Sequence, residues 1–144
     1  MEAIEYGALI RSITSNLNNY IGKACQEHGI QQGQFEYFLI IAWQPGINQL
    51  EIARKKNVGK AAVTKALKIL ESDGFIVRTI DSNDKRNIIC HLTKKGEGIM
   101  PILKNISANI QGQLFQGFQD KDMTLFYEYL CRLVVNSSQL QPPQ

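Results

Sequence analysis

The stretch KAAVTKALKILESDGFIVRTIDSNDKRNIICHL, residues 60–92, decides the fold because its hydrophobic pattern changes at Gly74. Before this glycine the apolar residues recur at steps of four and three, which predicts a helix over Lys60–Asp73. These residues are Val63, Leu67 and Leu70. Glycine accepts the left-handed backbone that closes a helix, so Gly74 should end it.

After Gly74 the residues are typical of strands rather than of a helix. Phe75–Ile80 and Asn87–Leu92 are rich in β-branched and aromatic residues. The segment between them, Asp81–Arg86, is polar and turn-prone. We therefore expect a β-hairpin with a charged tip directly after the helix.

A short helix should precede Lys60. Asn48 and Glu51 have the spacing of a capping box, in which each side chain accepts from the other residue's backbone. The helix should end at Asn57–Gly59, with three inward residues: Leu50, Ile52 and Ala53. A short helix, a tight turn, a second helix and a hairpin make up a winged helix-turn-helix.

Helices are also expected on both sides of this core. Leu9–Ala24 and Gln32–Trp43 are amphipathic, and Thr93 can cap a long helix that Pro101 either kinks or interrupts after Met100. Asp120 can cap a final helix. We predict one mainly α (α+β) domain in residues 1–144: a winged core at about 31–95, dimerisation helices at about 1–30 and 97–137, and a flexible tail at 138–144.

The last helix has apolar residues around most of its circumference, which indicates burial on several sides. They are Met123, Leu125, Phe126, Tyr127, Tyr129, Leu130, Leu133, Val134 and Val135. A partner subunit is the simplest cover, so we expect a homodimer. The alternative is a central position in the core of a monomer.

The chain carries its positive charge in the middle. The net charge is +3, but Arg54–Lys95 holds eleven basic and four acidic residues, a net +7, and the remainder carries −4. A basic centre between acidic flanks suggests one face built for a polyanion. The alternative is an ordinary solvated surface.

Double-stranded DNA is the expected polyanion. The helix over Lys60–Asp73 should enter the major groove, and the outward side chains suited to phosphates and base edges are Lys60, Ala61, Thr64, Lys65 and Lys68. Arg86 at the hairpin tip should reach the minor groove, and the neighbouring Lys85 should also contact DNA. Asp84 should orient Arg86 and Asp81 should support the turn, unless Asp84 and Arg86 form only a surface ion pair worth about 0–1 kcal/mol.

Three motifs in this region are similar to the signature of the MarR/SlyA family. They are Leu-Glu-x-x-Gly at residues 70–74, Asp-x-x-Asp-x-Arg at residues 81–86 and Leu-Thr-x-x-Gly at residues 92–96. The resemblance extends from about Leu9 to Leu133. It implies a winged-helix dimer that binds pseudo-palindromic promoter DNA and often responds to small aromatic ligands or oxidants. We expect this chain to act as a repressor, with activation as the alternative.

By position the resemblance assigns minor-groove insertion to Arg86 and support to Asp84. Many relatives carry arginine where this chain has Lys65, and a lysine cannot make a forked contact to guanine. Aromatic side chains on the first two helices lie where relatives hold ligands: Tyr20, Tyr37, Phe38 and Trp43. An aromatic stripe at helical spacing is more often part of a core than of a ligand pocket.

An oxidant-sensing regulator that acts through Cys25 is an alternative. Cys25 lies near Lys23 and His28, but reactivity requires exposure and a lowered pKa. Cys90 and Cys131 are expected to pack in the interior. With three separated cysteines and two distant histidines, the sequence offers neither a disulfide framework nor a metal site.

Other classes of protein are disfavoured. The chain lacks the common hydrolase, metalloprotease and nucleotide-binding motifs, so we expect no enzyme and no cofactor. No apolar run approaches the roughly 20 residues that cross a bilayer, and the acidic start differs from a secretory signal, so a cytoplasmic location is expected. A winged helix used only for protein–protein contact remains the alternative to a DNA-binding regulator.

Overall fold

A computed structural model describes residues 2–144 as two compact units, one ending at Ser107 and one from Ala108 to Gln144. The helices are α1 (Ala3–Gln26), α2 (Phe35–Trp43), α3 (Gln49–Lys56), α4 (Lys60–Ser72), α5 (Lys94–Leu114) and α6 (Asp120–Ser138). The strands are β1 (Ile47–Asn48), β2 (Ile76–Ile80) and β3 (Ile88–Leu92). The predicted mainly α winged helix-turn-helix is confirmed, whereas the predicted domain boundaries stay a prediction.

The three strands form one antiparallel sheet in the order β1-β3-β2. In the predicted hairpin, Ile80 lies opposite Ile88 and Ile76 lies opposite Leu92. The sequence pattern gave no indication of β1, whose Ile47 lies opposite Cys90. The edge strand β1 leads directly into α3, so the sheet carries both the hairpin and the start of the helix-turn-helix.

The helix α3 begins and ends with local side-chain and backbone signals. Asn48 accepts a hydrogen bond from the Glu51 amide at 2.8 Å, as expected. In the predicted capping box the Glu51 carboxylate would accept from the Asn48 amide. It accepts instead from Gln44 Nε2, at 3.2 Å. Asn57 closes α3 in the left-handed conformation, with φ of 53°.

Core packing fixes α4 against the neighbouring helices and the sheet. The predicted inward residues Val63, Leu67 and Leu70 are buried. Gly74 has a φ of 80°, which turns the chain from α4 into β2. Directly after it, Phe75 packs edge-on against Phe38, with ring centroids 5.4 Å apart.

The start of α5 packs closely against the turn at Gly74 and Phe75. Thr93 accepts from the Gly96 amide at 3.1 Å, which confirms its predicted capping role. A Cβ at Gly96 would lie 2.3 Å from the Phe75 carbonyl oxygen, so only glycine permits the close approach. The helix then continues through Pro101, so of the two predicted alternatives, a kink or a break, the break after Met100 is wrong.

Three other local predictions are corrected by the structure. The first helix starts at Ala3, six residues before the predicted Leu9. Leu50 is 42% exposed rather than inward, because it lies at the open amino end of α3. The residue that caps α6 is Gln119 and not Asp120, since the Gln119 amide donates to Asp122 Oδ2 at 3.1 Å.

Within the unit from Ala108 to Gln144, α6 has no buried residue. Phe115, Phe118 and Phe126 form a small aromatic cluster, with ring centroids 5.7–6.4 Å apart. Seven large apolar or aromatic side chains of α6 are exposed in the single chain: Leu125, Tyr127, Tyr129, Leu130, Leu133, Val134 and Val135. None of the helices between residues 2 and 144 combines the length and the apolar content that a bilayer crossing requires.

Candidate nucleic-acid interface

A cleft of about 560 Å³ lies where the amino ends of α3 and α4 meet the hairpin. We call the hairpin segment Asp81–Asn87 the wing. Ten residues line the cleft: Asn48, Gln49, Leu50, Lys60, Val63, Thr64, Asp84, Arg86, Asn87 and Ile88. The cleft therefore brings the first predicted contact residues of α4 together with the predicted minor-groove arginine.

The outward face of α4 carries the side chains predicted to contact DNA. Lys60, Ala61, Lys65 and Lys68 are exposed, and Thr64 is half-buried. The opposite face carries the buried Val63 and Leu67, which hold α4 to the core. A basic face with small side chains is thus presented to solvent on a helix whose opposite face packs into the core.

At the wing, Asp84 holds Arg86 by both oxygens of its carboxylate. Arg86 Nε donates to Oδ1 at 3.1 Å and Nη2 donates to Oδ2 at 3.2 Å. The Arg86 backbone amide also donates to Oδ1, at 3.0 Å. These hydrogen bonds hold the pKa of the Asp84 carboxyl below its usual value. The bonds from the Arg86 side chain contribute most, and the bond from the Arg86 amide contributes less.

The backbone of the wing is closed by its own hydrogen bonds. The Asp81 amide donates to the Asn87 carbonyl at 2.9 Å, and the Asn87 amide donates to the Asp84 carbonyl at 2.9 Å. The Asp81 carboxylate accepts from the Asn83 amide at 2.9 Å, which is the turn-supporting geometry expected of it. Lys85 and Arg86 are exposed at the tip.

An ion pair that the sequence analysis did not assign to the site lies behind the wing. Arg78 Nη2 donates to Glu71 Oε1 at 3.0 Å, and Arg78 Nη1 donates to Gln49 Oε1 at 3.1 Å. The hydrogen bond from the Arg78 side chain lowers the pKa of the Glu71 carboxyl. The sequence placed Arg78 among the residues of the basic surface. Its side chain is only 15% exposed, because the guanidinium is bonded to Glu71 and Gln49.

Three residues at the amino end of α3 line the cleft but were not predicted from the sequence as site residues. They are Asn48, Gln49 and Leu50. The capping pattern at Asn48 was the available signal, because it located the end of a helix whose first residues project away from the core. Leu50 adds an exposed apolar side chain to an otherwise polar cleft.

The aromatic residues proposed for ligand binding are divided between core and surface. Tyr37 and Phe38 are buried, whereas Tyr20 and Trp43 are exposed. Phe38 is occupied by its contact with Phe75. The packing of Tyr37 and Phe38 therefore matches the alternative of a core stripe, and the ligand role of the four stays a prediction.

Two of the three thiols, those of Cys25 and Cys90, do not have the environment of a redox sensor. Cys25 is fully buried, and burial raises the pKa of its thiol, opposite to the shift that reactivity requires. Cys90 is buried in β3, where burial raises the thiol pKa to about 11. Cys131 is exposed in the single chain, so its predicted interior position is wrong for this chain alone. Among residues 2–144 no cluster of three potential metal ligands occurs.

The model of the MarR family matches residues 30–88. The transcriptional repressor YetL of Bacillus subtilis (strain 168) is 26% identical over 121 residues, which cover 82% of this chain and 72% of YetL.

Two solved structures of the same fold resemble the chain over nearly its whole length. The transcriptional regulator SlyA superposes with a TM-score of 0.83 and 27% identity, and the match covers 96% of each chain. A MarR family regulator from Listeria monocytogenes, solved with a 26mer DNA, has a TM-score of 0.85 at 20% identity and covers both chains completely. At that identity the second likeness concerns the fold alone.

Proposed function

This chain belongs to the MarR family of winged-helix transcriptional regulators, and from that premise we propose that it binds pseudo-palindromic promoter DNA as a homodimer and represses transcription. The observation that carries the proposal is the single cleft lined by Lys60 and Thr64 of α4 and by Arg86 of the wing. Cationic and hydroxyl groups on one concave surface can engage adjacent grooves of one duplex.

Each element has a distinct task in this proposal. The face with Lys60, Ala61, Thr64, Lys65 and Lys68 enters the major groove. Arg86 enters the minor groove in the direction set by Asp84, and Lys85 contacts the backbone. Because Lys65 is a point charge, it supports affinity and register more than strict recognition of guanine.

The homodimer is supported by apolar surface that the single chain leaves uncovered. On α1, six large apolar or aromatic side chains are exposed: Ile4, Tyr6, Leu9, Ile10, Ile13 and Tyr20. On α6, seven more are exposed, and an accumulation of large exposed apolar side chains is typical of interaction surfaces. Two copies related by a twofold axis would present two α4 helices to half-sites roughly 34–36 Å apart.

Repression is supported by the likeness to YetL, which is described as a repressor. Control by a small aromatic ligand is a further part of the proposal. It is supported by a groove of about 320 Å³ between the end of α2, β3 and α5, a volume that suits a single-ring molecule. The groove has apolar and ionisable lining: Ala42, Pro45, His91, Leu92, Glu97, Met100 and Lys104.

Fluorescence anisotropy tests the proposal with duplex taken from upstream of the chain's own gene. We expect tighter binding to this duplex than to a shuffled duplex of equal length at the same salt concentration. Equal binding to both would contradict sequence-specific regulation. No binding to either would favour the alternative of a winged helix that contacts only proteins.

A further inference from the structure

Arg78 connects three elements of the winged helix through one side chain. It lies on β2, its Nη2 and Nε donate to Glu71 of α4 at 3.0 and 3.3 Å, and its Nη1 donates to Gln49 of α3 at 3.1 Å. The Arg78 backbone amide donates to Glu71 Oε2 as well, at 3.2 Å. Both helices of the helix-turn-helix are thus bonded to one strand of the hairpin.

Arg78 lies at a position in β2 where its hydrogen bonds constrain the strand that leads into the wing. Arg78 is the middle of the five residues of β2, and it lies opposite Cys90 of β3. Cys90 in turn lies opposite Ile47 of β1, the strand that leads into α3. The wing is carried by β2 and β3, so a constraint at the centre of this sheet bears on the angle between the wing and α4.

The chemistry of the guanidinium suits such a constraint. A planar fork that bonds to both oxygens of a carboxylate fixes orientation as well as distance, whereas an ammonium fixes only a point charge. The Arg78 side chain is 15% exposed, so water competes for it far less than for the 90% exposed Arg86. Arg78 does not line the cleft and therefore acts through other residues.

We propose that Arg78 is a positioning residue for DNA binding, which locks the angle between the wing and α4 so that Arg86 and Lys60 meet the same duplex. The inference rests on the proposed DNA-binding function. If Arg78 served only stability, its loss would lower the free energy of unfolding but would leave the contribution of Arg86 to DNA affinity intact.

A double-mutant cycle distinguishes a positioning role of Arg78 from a purely stabilising one. Arg78 and Arg86 bond to different carboxylates, so any coupling between them does not come from a shared partner. The DNA affinities of the wild type, R78M, R86A and R78M/R86A are measured on the same duplex, with R132M on α6 as the matched control. We expect R86A to weaken binding about tenfold in the wild type but less than about twofold in R78M, because the misdirected wing has already lost its contact. An equal weakening in both backgrounds would overturn the proposal.

The unbound protein supplies a second readout. Backbone N–H residual dipolar couplings of residues 76–92 and of α4 should fit one alignment tensor in the wild type and in R132M, and two different tensors in R78M. A common tensor in R78M would overturn the proposal. If R78M does not fold, R78K serves in its place, because lysine keeps the charge and loses the fork; wild-type couplings and wild-type affinity in R78K would equally overturn it.

The two failures are distinguishable. A wild-type chain that binds no duplex would overturn the proposed function, and with it any role of Arg78 in DNA binding. A wild-type chain that binds its duplex but shows additive effects of R78M and R86A would overturn only the positioning role.

Discussion

Arg86 and Asp84 face each other through two hydrogen bonds, from Nε to Oδ1 at 3.1 Å and from Nη2 to Oδ2 at 3.2 Å, while the Arg86 side chain is 90% exposed. An exposed guanidinium normally samples many rotamers. Here a neighbour two residues away holds its direction before any ligand arrives. A side chain that is already oriented loses less conformational entropy on binding.

Replacing Arg86 tests the role of the wing. We expect R86A to weaken specific DNA binding by about tenfold, which corresponds to about 1.4 kcal/mol. Because exposed ion pairs contribute about 0–1 kcal/mol, the free energy of unfolding in urea should change little. Anisotropy and urea titrations measure the two quantities. An unchanged affinity would exclude Arg86 from the interface, and R132A is the matched control.

The lysines of α4 should appear in the salt dependence of binding. Removing one phosphate contact lowers the slope of log affinity against log salt by about 0.9. We therefore expect K65A and K68A each to flatten the slope by about one and to weaken binding to all sequences alike. The exposed Lys104 of α5 lies in a different groove, so K104A serves as the control. A wild-type slope in both α4 variants would remove these lysines from the interface.

Acid should destabilise the pair of Glu71 and Arg78. The hydrogen bond from Arg78 lowers the pKa of Glu71 in the folded chain, so the unfolded chain binds the proton first as the pH falls. The stabilisation is therefore fully present above the unfolded pKa of about 4.3 and is lost as the pH falls toward the folded value. Urea unfolding should show a constant difference between wild type and E71Q from about pH 8 to pH 6, and a shrinking difference below about pH 4. A difference independent of pH throughout would contradict the linkage.

The central fold was predictable because its signals are local. The hydrophobic pattern of a helix or strand is contained in that element itself. Asn48 and Gly74 directly adjoin the helices whose ends they mark. The strand β1 was not predictable, because its two residues follow the breaker Pro45–Gly46 and pair with β3 some forty residues later.

The candidate site was predictable to a similar degree. The α4 face and the wing were named residue by residue, since their charge and spacing are visible in the chain. Leu50 was assigned to the core by periodicity, although the amino end of α3 is uncovered there. The role of Arg78 could not be predicted, because Glu71 and Gln49 approach it only through the tertiary fold.

Thiol chemistry tests whether oxidants act through Cys25. Because burial removes access and raises the thiol pKa, we expect Cys25 and Cys90 to resist alkylation in the folded protein and to react after unfolding. Mass spectrometry of pulse-alkylated peptides measures this. Rapid labelling of Cys25 in the folded chain would revive the oxidant-sensing alternative.

Disrupting the exposed apolar face of α6 should dissociate the proposed dimer. Sedimentation equilibrium of the wild type should give twice the chain mass of 16.3 kDa. Introducing a charge with L133D should yield the single-chain mass, whereas the apolar control L133M should remain dimeric, since burying an unpaired charge is costly. A monomeric wild type would contradict the homodimer.

Hydroxyl-radical footprinting on the duplex upstream of the chain's own gene tests the central claim most directly. The account predicts two protected half-sites whose centres are about 10 base pairs apart or a multiple of this, each with an outer minor-groove protection that disappears in R86A. Uniform protection along the duplex, or a footprint that R86A leaves intact, would contradict it.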